Sequence, residues 1–310
     1  MNRARTILVG AGAALSALVL VGCGGGSDPL AGDSGGGSDS SSTITIGSAN
    51  FPESELLMQM YAQALEAKGV QVETQPNIGA REIYMEAFND GSINLLPEYN
   101  GALLAYLSPD GVSEDVSTPE EVYDALQEVL PEGAQTLEQS AAEDKDTLTV
   151  TQETAAEYNL QSLADLAPVA GEMSVGAGPE FQERFQGSIG LQEVYGVTFG
   201  EFKPLDAGGP LTIAALQDGD VDVANVFSTD SAIPSNGWVT LEDPENLFLA
   251  QNVVPLIKSE QATPEVVEAL NGVSAALTTQ NLTDALAQVQ VDKADPVVVA
   301  GDFLTEHGLK

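Results

Sequence analysis

Two aromatic residues at matching places in a weak internal repeat are the first candidates for chemistry in this chain. The stretch Ala87-Phe88-Asn89-Asp90-Gly91-Ser92-Ile93-Asn94-Leu95 is echoed by Ala215-Leu216-Gln217-Asp218-Gly219-Asp220-Val221-Asp222-Val223. In each copy a helical pattern ends at Asp-Gly and a short strand follows. An aromatic residue then stands at the same offset, Tyr99 in the first copy and Phe227 in the second. Ligands of open α/β sheets bind beyond the carboxyl ends of strands. Two lobes on this plan, facing each other, would present Tyr99 and Phe227 across a common cleft. Helix, Asp-Gly and strand also recur by chance in α/β chains, so the flanking residues must decide.

Reactive groups are sparse. Ser228-Thr229-Asp230 contains a nucleophile type, but no histidine lies near it and the chain has no Gly-x-Ser-x-Gly turn. Hydroxyls lining a cleft are the simpler reading. Asp144 and Asp146 are a residue type that can hydrolyse sugars, but they fall at an expected crossing between lobes, which argues against it. His307, the single histidine, lies near the C-terminus without partners for a metal site or a general base, and is expected to be exposed. Trp238, after Asn236-Gly237, reads as packing. No catalytic residue, metal or cofactor is expected.

The elements that must position these residues alternate. Thr43-Ile44-Thr45-Ile46 reads as a half-buried strand, Asn50-Phe51-Pro52 as a turn, and residues 53–68 as a helix closed by Gly69. A strand is expected over 70–74, a helix over 80–89, a strand over 93–96, and a helix over 118–130 with Thr118 and Glu121 at capping-box spacing. Strands and helices in this order, with short connections, predict an α/β fold with a largely parallel sheet.

The chain's only cysteine bears on location. Arg3 and Arg5 precede an apolar stretch over residues 7–21, too short to span a bilayer comfortably, and Leu20-Val21-Gly22-Cys23 follows. This resembles a bacterial lipobox, so residues 1–22 are read as a lipoprotein signal peptide and Cys23 as the lipidation site. Residues 23–42 are Gly/Ser-rich and read as a flexible linker. With one cysteine there are no internal disulfides. The expected location is the extracytoplasmic face of the cell membrane, held by a lipid anchor. The formal charge is -37, from 10 basic and 47 acidic residues, which excludes nucleic acid as a partner and enriches cations near the surface. Carboxylates that keep an exported protein soluble are a better explanation of that charge than any specific role.

Five short motifs in order carry a family resemblance. Ile46-Gly47-Ser48-Ala49-Asn50-Phe51, Leu96-Pro97-Glu98-Tyr99-Asn100-Gly101, the stretch over 150–166, Gly178-Pro179-Glu180-Phe181 with Arg184, and Asp220-Val221-Asp222-Val223 leading to Phe227-Ser228-Thr229-Asp230 resemble the glycine betaine/choline (osmoprotectant) binding proteins of ABC importers. The resemblance implies a two-lobed periplasmic-binding-protein fold, type II-like, with two crossing strands at the hinge. Lobe 1 is expected over 43–145 and 253–310 and lobe 2 over 146–252, with crossings near 143–147 and 251–254. It implies a monomer that binds a quaternary amine or related small solute and delivers it to an ABC permease with a cytoplasmic ATPase. The alternative is a lipoprotein sensor or scavenger of the same fold, binding a non-betaine polar or aromatic solute.

Tyr99 matches a tyrosine of the family's aromatic cage and Phe227 retains a ring without the hydroxyl. At the crossings, Asp144-Lys145-Asp146 and Ala250-Gln251-Asn252 stand where relatives carry further tyrosines, and Ala49 stands where they often carry lysine. Arg184 matches the arginine that holds a ligand carboxylate. Asn100, Asp144, Asp146, Ser228, Thr229 and Asn252 complete the expected ligand-binding set, with Arg81 either entering the pocket or pairing with Glu82 or Glu86 on the surface.

Overall fold

The computed structural model describes residues 43–310 apart from 110 and 114. The expected signal peptide, linker and lipidation site at Cys23 lie outside the described residues. Strands β1 (Ile44–Ala49), β2 (Val72–Gly79), β3 (Leu95–Tyr99) and β4 (Ala134–Thr136) begin one sheet. Strands β5 (Asp146–Val150), β6 (Ser174–Ala177), β7 (Glu201–Pro204), β8 (Val223–Phe227) and β9 (Val239–Thr240) make a second. The chain then returns with β10 (Val253–Lys258) to the first. Strand order is β2-β1-β3-β10-β4 in one sheet and β7-β6-β8-β5-β9 in the other.

The two orders correspond strand for strand in sense as well as position. β1 runs parallel to β2 and β3, while β10 is antiparallel to β3 and β4. Likewise β6 runs parallel to β7 and β8, while β5 is antiparallel to β8 and β9. The sheets are therefore mixed rather than largely parallel. The reason is topological: β5 and β10 each enter from the other sheet, and both run against their neighbours. The two crossings themselves pair, through an antiparallel bridge between Glu143 and Asn252 and a 3.0 Å bond from the Asp144 amide to the Gln251 carbonyl.

Helices cover both faces of the first sheet. Helix α1 (Pro52–Ala67) lies on the face with Ile44, Ile46, Leu95 and Ile257. Helices α2 (Arg81–Asp90), α3 (Asn100–Leu107) and α4 (Pro119–Val129) lie on the face with Ile93, Leu96 and Leu256. Adjacent residues such as Leu95 and Leu96 serve opposite faces, the period-two signature of a strand buried on both sides. Around the second sheet are α5 (Gln152–Tyr158), α6 (Gly190–Tyr195), α7 (Pro210–Gln217) and α8 (Ala232–Asn236). Trp238 packs with Leu216, Ala224 and Val226, as a core residue. Helices α9 (Pro264–Ala276), α10 (Thr279–Gln290) and α11 (Pro296–Glu306) close over α1, and exposed His307 stacks on Phe303 with ring centroids 4.3 Å apart.

Element boundaries moved where tertiary pairing outweighs local pattern. The strand expected over 70–74 runs instead from Val72 to Gly79 because it follows β1 in parallel register to the Ala49↔Gly79 pair. The strand expected over 93–96 is displaced to Leu95–Tyr99, carried through Pro97 by its pairing with β10. The capping box at α4 is present, with Thr118 Oγ1 accepting from the Glu121 amide at 3.3 Å and Glu121 Oε2 accepting from the Thr118 amide at 3.0 Å.

Gly101 shows how tightly the return crossing is laid against α3. A Cβ there would stand 2.3 Å from the Ala250 carbonyl oxygen and 2.9 Å from Leu249 Cβ. Gly101→Ala should therefore lower stability by about 1–3 kcal/mol, read as a shift of the urea unfolding midpoint. A midpoint equal to that of the parent would contradict the close approach.

Candidate functional site

Tyr99 is the last residue of β3 and Phe227 the last of β8, the corresponding strands of the two sheets. Both line one cleft between the sheets, which encloses about 60 Å³. The internal repeat thus marks equivalent places, and the pairing across a cleft follows from it. A third ring sits between them. Phe51, in the turn between β1 and α1, lies 6.0 Å from Tyr99 and 5.1 Å from Phe227, centroid to centroid, with tilted planes. Gly208, with φ of 59°, backs the Phe227 ring so closely that a Cβ would lie 2.7 Å from Cδ2. A side chain there would push the ring out of place.

Beneath the rings lies a buried acid network. Glu53 and Asp144 are each 2% exposed and Thr229 is fully buried. Glu53, in the first turn of α1, accepts from the Tyr99 hydroxyl at 2.7 Å and from the Thr229 hydroxyl at 2.6 Å. Thr229 Oγ1 is also 2.9 Å from Asp144 Oδ1, and the Thr229 amide donates to the same oxygen at 3.1 Å. One hydroxyl proton cannot serve two carboxylates, so a second proton must sit on the pair. Burial raises the pKa of both acids, and the adjacent Glu53 charge carries Asp144 well above the ordinary carboxylate range. Both shifts favour a proton on the pair, with the Asp144 value well above the ordinary one. Burial and then the neighbouring Glu53 also push the Tyr99 phenol well up, so it stays a donor.

Both arginines of the described residues line the cleft, and each is held side-on by a carboxylate. Arg81 Nε and Nη2 reach Glu98 Oε1 and Oε2 at 3.0 Å each. Glu98 is fully buried and also accepts from the Tyr84 hydroxyl at 2.6 Å and the Tyr99 amide at 2.9 Å. Arg81 therefore enters the pocket wall, and its partner is neither Glu82 nor Glu86. Burial opposes its charge, yet the Glu98 charge and hydrogen bonds leave its pKa raised. Arg184 meets Glu82 of α2 across the cleft, at 3.0 Å through Nε and 2.9 Å through Nη2. Partial burial pushes Glu82 up, but the Arg184 bonds and charge outweigh it and lower its pKa. The arginine expected to hold a ligand carboxylate is thus engaged by a carboxylate of the protein.

Of the other expected residues, Asp146 lines the cleft and accepts from Asn225 and Gln251 amides at 3.1 Å each. Asn100 and Asn252 stand outside the lining and tie the crossing to α3: Asn100 Oδ1 accepts from the Asn252 amide at 2.8 Å, and Asn252 Nδ2 donates to the Ser140 carbonyl at 3.1 Å. Ser228 Oγ accepts from the Lys145 amide at 2.8 Å and, like Thr229, lies behind the lining. Sequence reasoning missed Phe51, Glu53, Glu82 and Glu98. Phe51 carried a signal, since it follows β1 as Tyr99 ends β3. Among the described residues no cluster of His, Cys, Asp and Glu could hold a metal ion, and no helix is long and apolar enough to cross a membrane.

Comparison with known proteins agrees with this architecture. Residues 42–306 match the family described as the substrate binding domain of ABC-type glycine betaine transport systems. The glycine betaine-binding protein YehZ of Escherichia coli is 26% identical over 279 residues, covering 86% of this chain and 91% of that protein. The carnitine transport binding protein OpuCC of Listeria monocytogenes is 26% identical over 278 residues, covering 87% and 89%. A crystal structure of a glycine betaine/carnitine/choline ABC transporter protein shares the fold, with a TM-score of 0.67 at 23% identity, covering 86% of this chain and 99% of that one.

The shared proton makes stability depend on pH with a definite sign. Asp144 ionises near its normal value of 3.8 when unfolded and well above it when folded. Its contribution is complete below the unfolded value and is lost as pH rises through the folded one. Stability should fall by up to about 1.4 kcal/mol per pH unit in that window. Asp144→Asn, which stays neutral and keeps a donor, should flatten the slope in urea unfolding between about pH 4.5 and 8. An unchanged slope would contradict the protonated pair.

Proposed function

Because this chain belongs to the substrate-binding domains of ABC-type glycine betaine transport systems, we propose that its cleft takes a small quaternary-ammonium solute against the faces of Phe51, Tyr99 and Phe227. The observation that carries this reading is the convergence of three rings, two from the first sheet's layer and one from the second, on a single cleft. A cation without N–H groups cannot be recognised by hydrogen bonds. Ring quadrupoles attract it by roughly 0.5–2 kcal/mol for each favourable face. Asp146 and Glu180 add negative charge to the lining. The names of the relatives, which bind glycine betaine and carnitine, support the same solute class.

Rings from both layers can grip one cation only when the lobes meet, so solute capture and closure are a single event. The paired crossings at Glu143 and Asn252 are where the chain would flex. The closed form then delivers its solute to the membrane permease, whose cytoplasmic ATPase supplies the energy. The protein is a transport receptor rather than an enzyme. The Cys23 lipobox supports a lipid anchor that keeps it at the extracytoplasmic membrane surface, with the Gly/Ser-rich linker as tether.

Calorimetry tests the recognition. Choline should bind, and 3,3-dimethylbutan-1-ol, which replaces the ammonium nitrogen by carbon, should not. Phe227→Ala should weaken choline about tenfold, whereas Phe227→Tyr keeps the π face and should retain binding. Equal binding of the cation and its neutral analogue would refute the reading.

A further inference from the structure

The three ion pairs among the described residues are Lys68–Glu268 at the surface and the two arginine pairs of the cleft. Arg81–Glu98 lies within one lobe. Arg184–Glu82 does not: Arg184 follows β6 of the second sheet, and Glu82 stands in the first turn of α2, packed on the first. Glu82 therefore brings a carboxylate to the positive group of the opposite lobe. It takes the Nε and Nη2 edge bidentately, as a carboxylate-bearing solute would.

We infer that Glu82 is a specificity-determining residue: by occupying Arg184 from the opposite lobe it turns away solutes that carry a carboxylate and leaves a cleft selective for net cations. The inference rests on the quaternary-ammonium reading above. The charges in and around the cleft agree with it. Arg81 and Arg184 are each neutralised where they stand, while among the described residues the lining carboxyls Asp146 and Glu180 form no direct ion pair, Asp146 acting on Arg81 only through its charge. A solute carboxylate would have to displace Glu82 from Arg184 and then sit among acids. Glu82 is tethered to α2, so it competes at an effective concentration on the order of millimolar or above without the cost of association. A cation meets no such competitor. The Glu82 side chain is 44% exposed, so its replacement leaves the core untouched.

The test uses residues 41–310, the compact unit that contains both sheets and their hydrophobic clusters, with choline and glycine betaine titrated calorimetrically. The parent protein should bind choline more tightly than glycine betaine. Glu82→Gln should raise glycine betaine affinity about tenfold relative to choline, and adding Arg184→Gln should abolish that gain. Three results would overturn the inference: parent binding of glycine betaine as tight as that of choline, an equal change for both solutes in Glu82→Gln, which a mere bridge between lobes would give, or a gain that persists in the double variant. Binding of neither solute by the parent would instead overturn the quaternary-ammonium reading, and this inference with it.

Discussion

Glu53 is the point at which both lobes are tied to one buried charge. Its carboxylate accepts the Tyr99 hydroxyl from the end of β3 and the Thr229 hydroxyl from just beyond β8. An ionised carboxylate shut away from water is costly unless hydrogen bonds replace its hydration. The two lobes supply those bonds from opposite sides. Asp144, at the crossing between sheets, completes the arrangement, its pKa raised by burial and by the Glu53 charge. Burying this group therefore requires Tyr99, Thr229 and the crossing to be in register, and that register sets the rings of Tyr99 and Phe227 around Phe51.

The cleft's electrostatics follow from scarcity of positive charge. The chain has 10 basic residues against 47 acidic ones, yet both arginines of the described residues line this cleft. Each is clasped by a carboxylate, one buried within a lobe and one reaching across. Arg81 thereby serves as structure, holding Glu98 beneath Tyr84 and Tyr99. Arg184 serves as a bridge whose strength falls with salt, because it is partly exposed.

Much of the fold was legible because it is written in local pattern and repetition. Ala87 to Leu95 and Ala215 to Val223 mark equivalent strands in two sheets of matching order, and the rings at their ends, Tyr99 and Phe227, both line the cleft. The antiparallel sense of β5 and β10 was not legible, since it depends on which sheet a strand joins. Glu53, Glu82 and Glu98 were hidden for another reason. In a chain with 47 acidic residues, nothing local separates a carboxylate buried beneath a ring, such as Glu53 or Glu98, or one reaching across a cleft, such as Glu82, from one that faces solvent. The choice left open for Arg81 is settled by a partner that local pattern does not show, Glu98, 17 residues away at the end of β3. Asn100 is expected at the solute because it follows Tyr99 in a family motif, and Asn252 because Ala250-Gln251-Asn252 stands where relatives carry a tyrosine. Their hydrogen bonds hold the backbone crossing together.

The central claim is that the three rings are the cation site, and a crystal structure of residues 41–310 with choline tests it most directly. The account predicts the trimethylammonium group within about 6 Å of the ring centroids of Phe51, Tyr99 and Phe227, with Arg184 still paired to Glu82. An ammonium group seated away from these rings, for instance in the outer groove between Pro210 of α7 and Gln290 of α10, would contradict it.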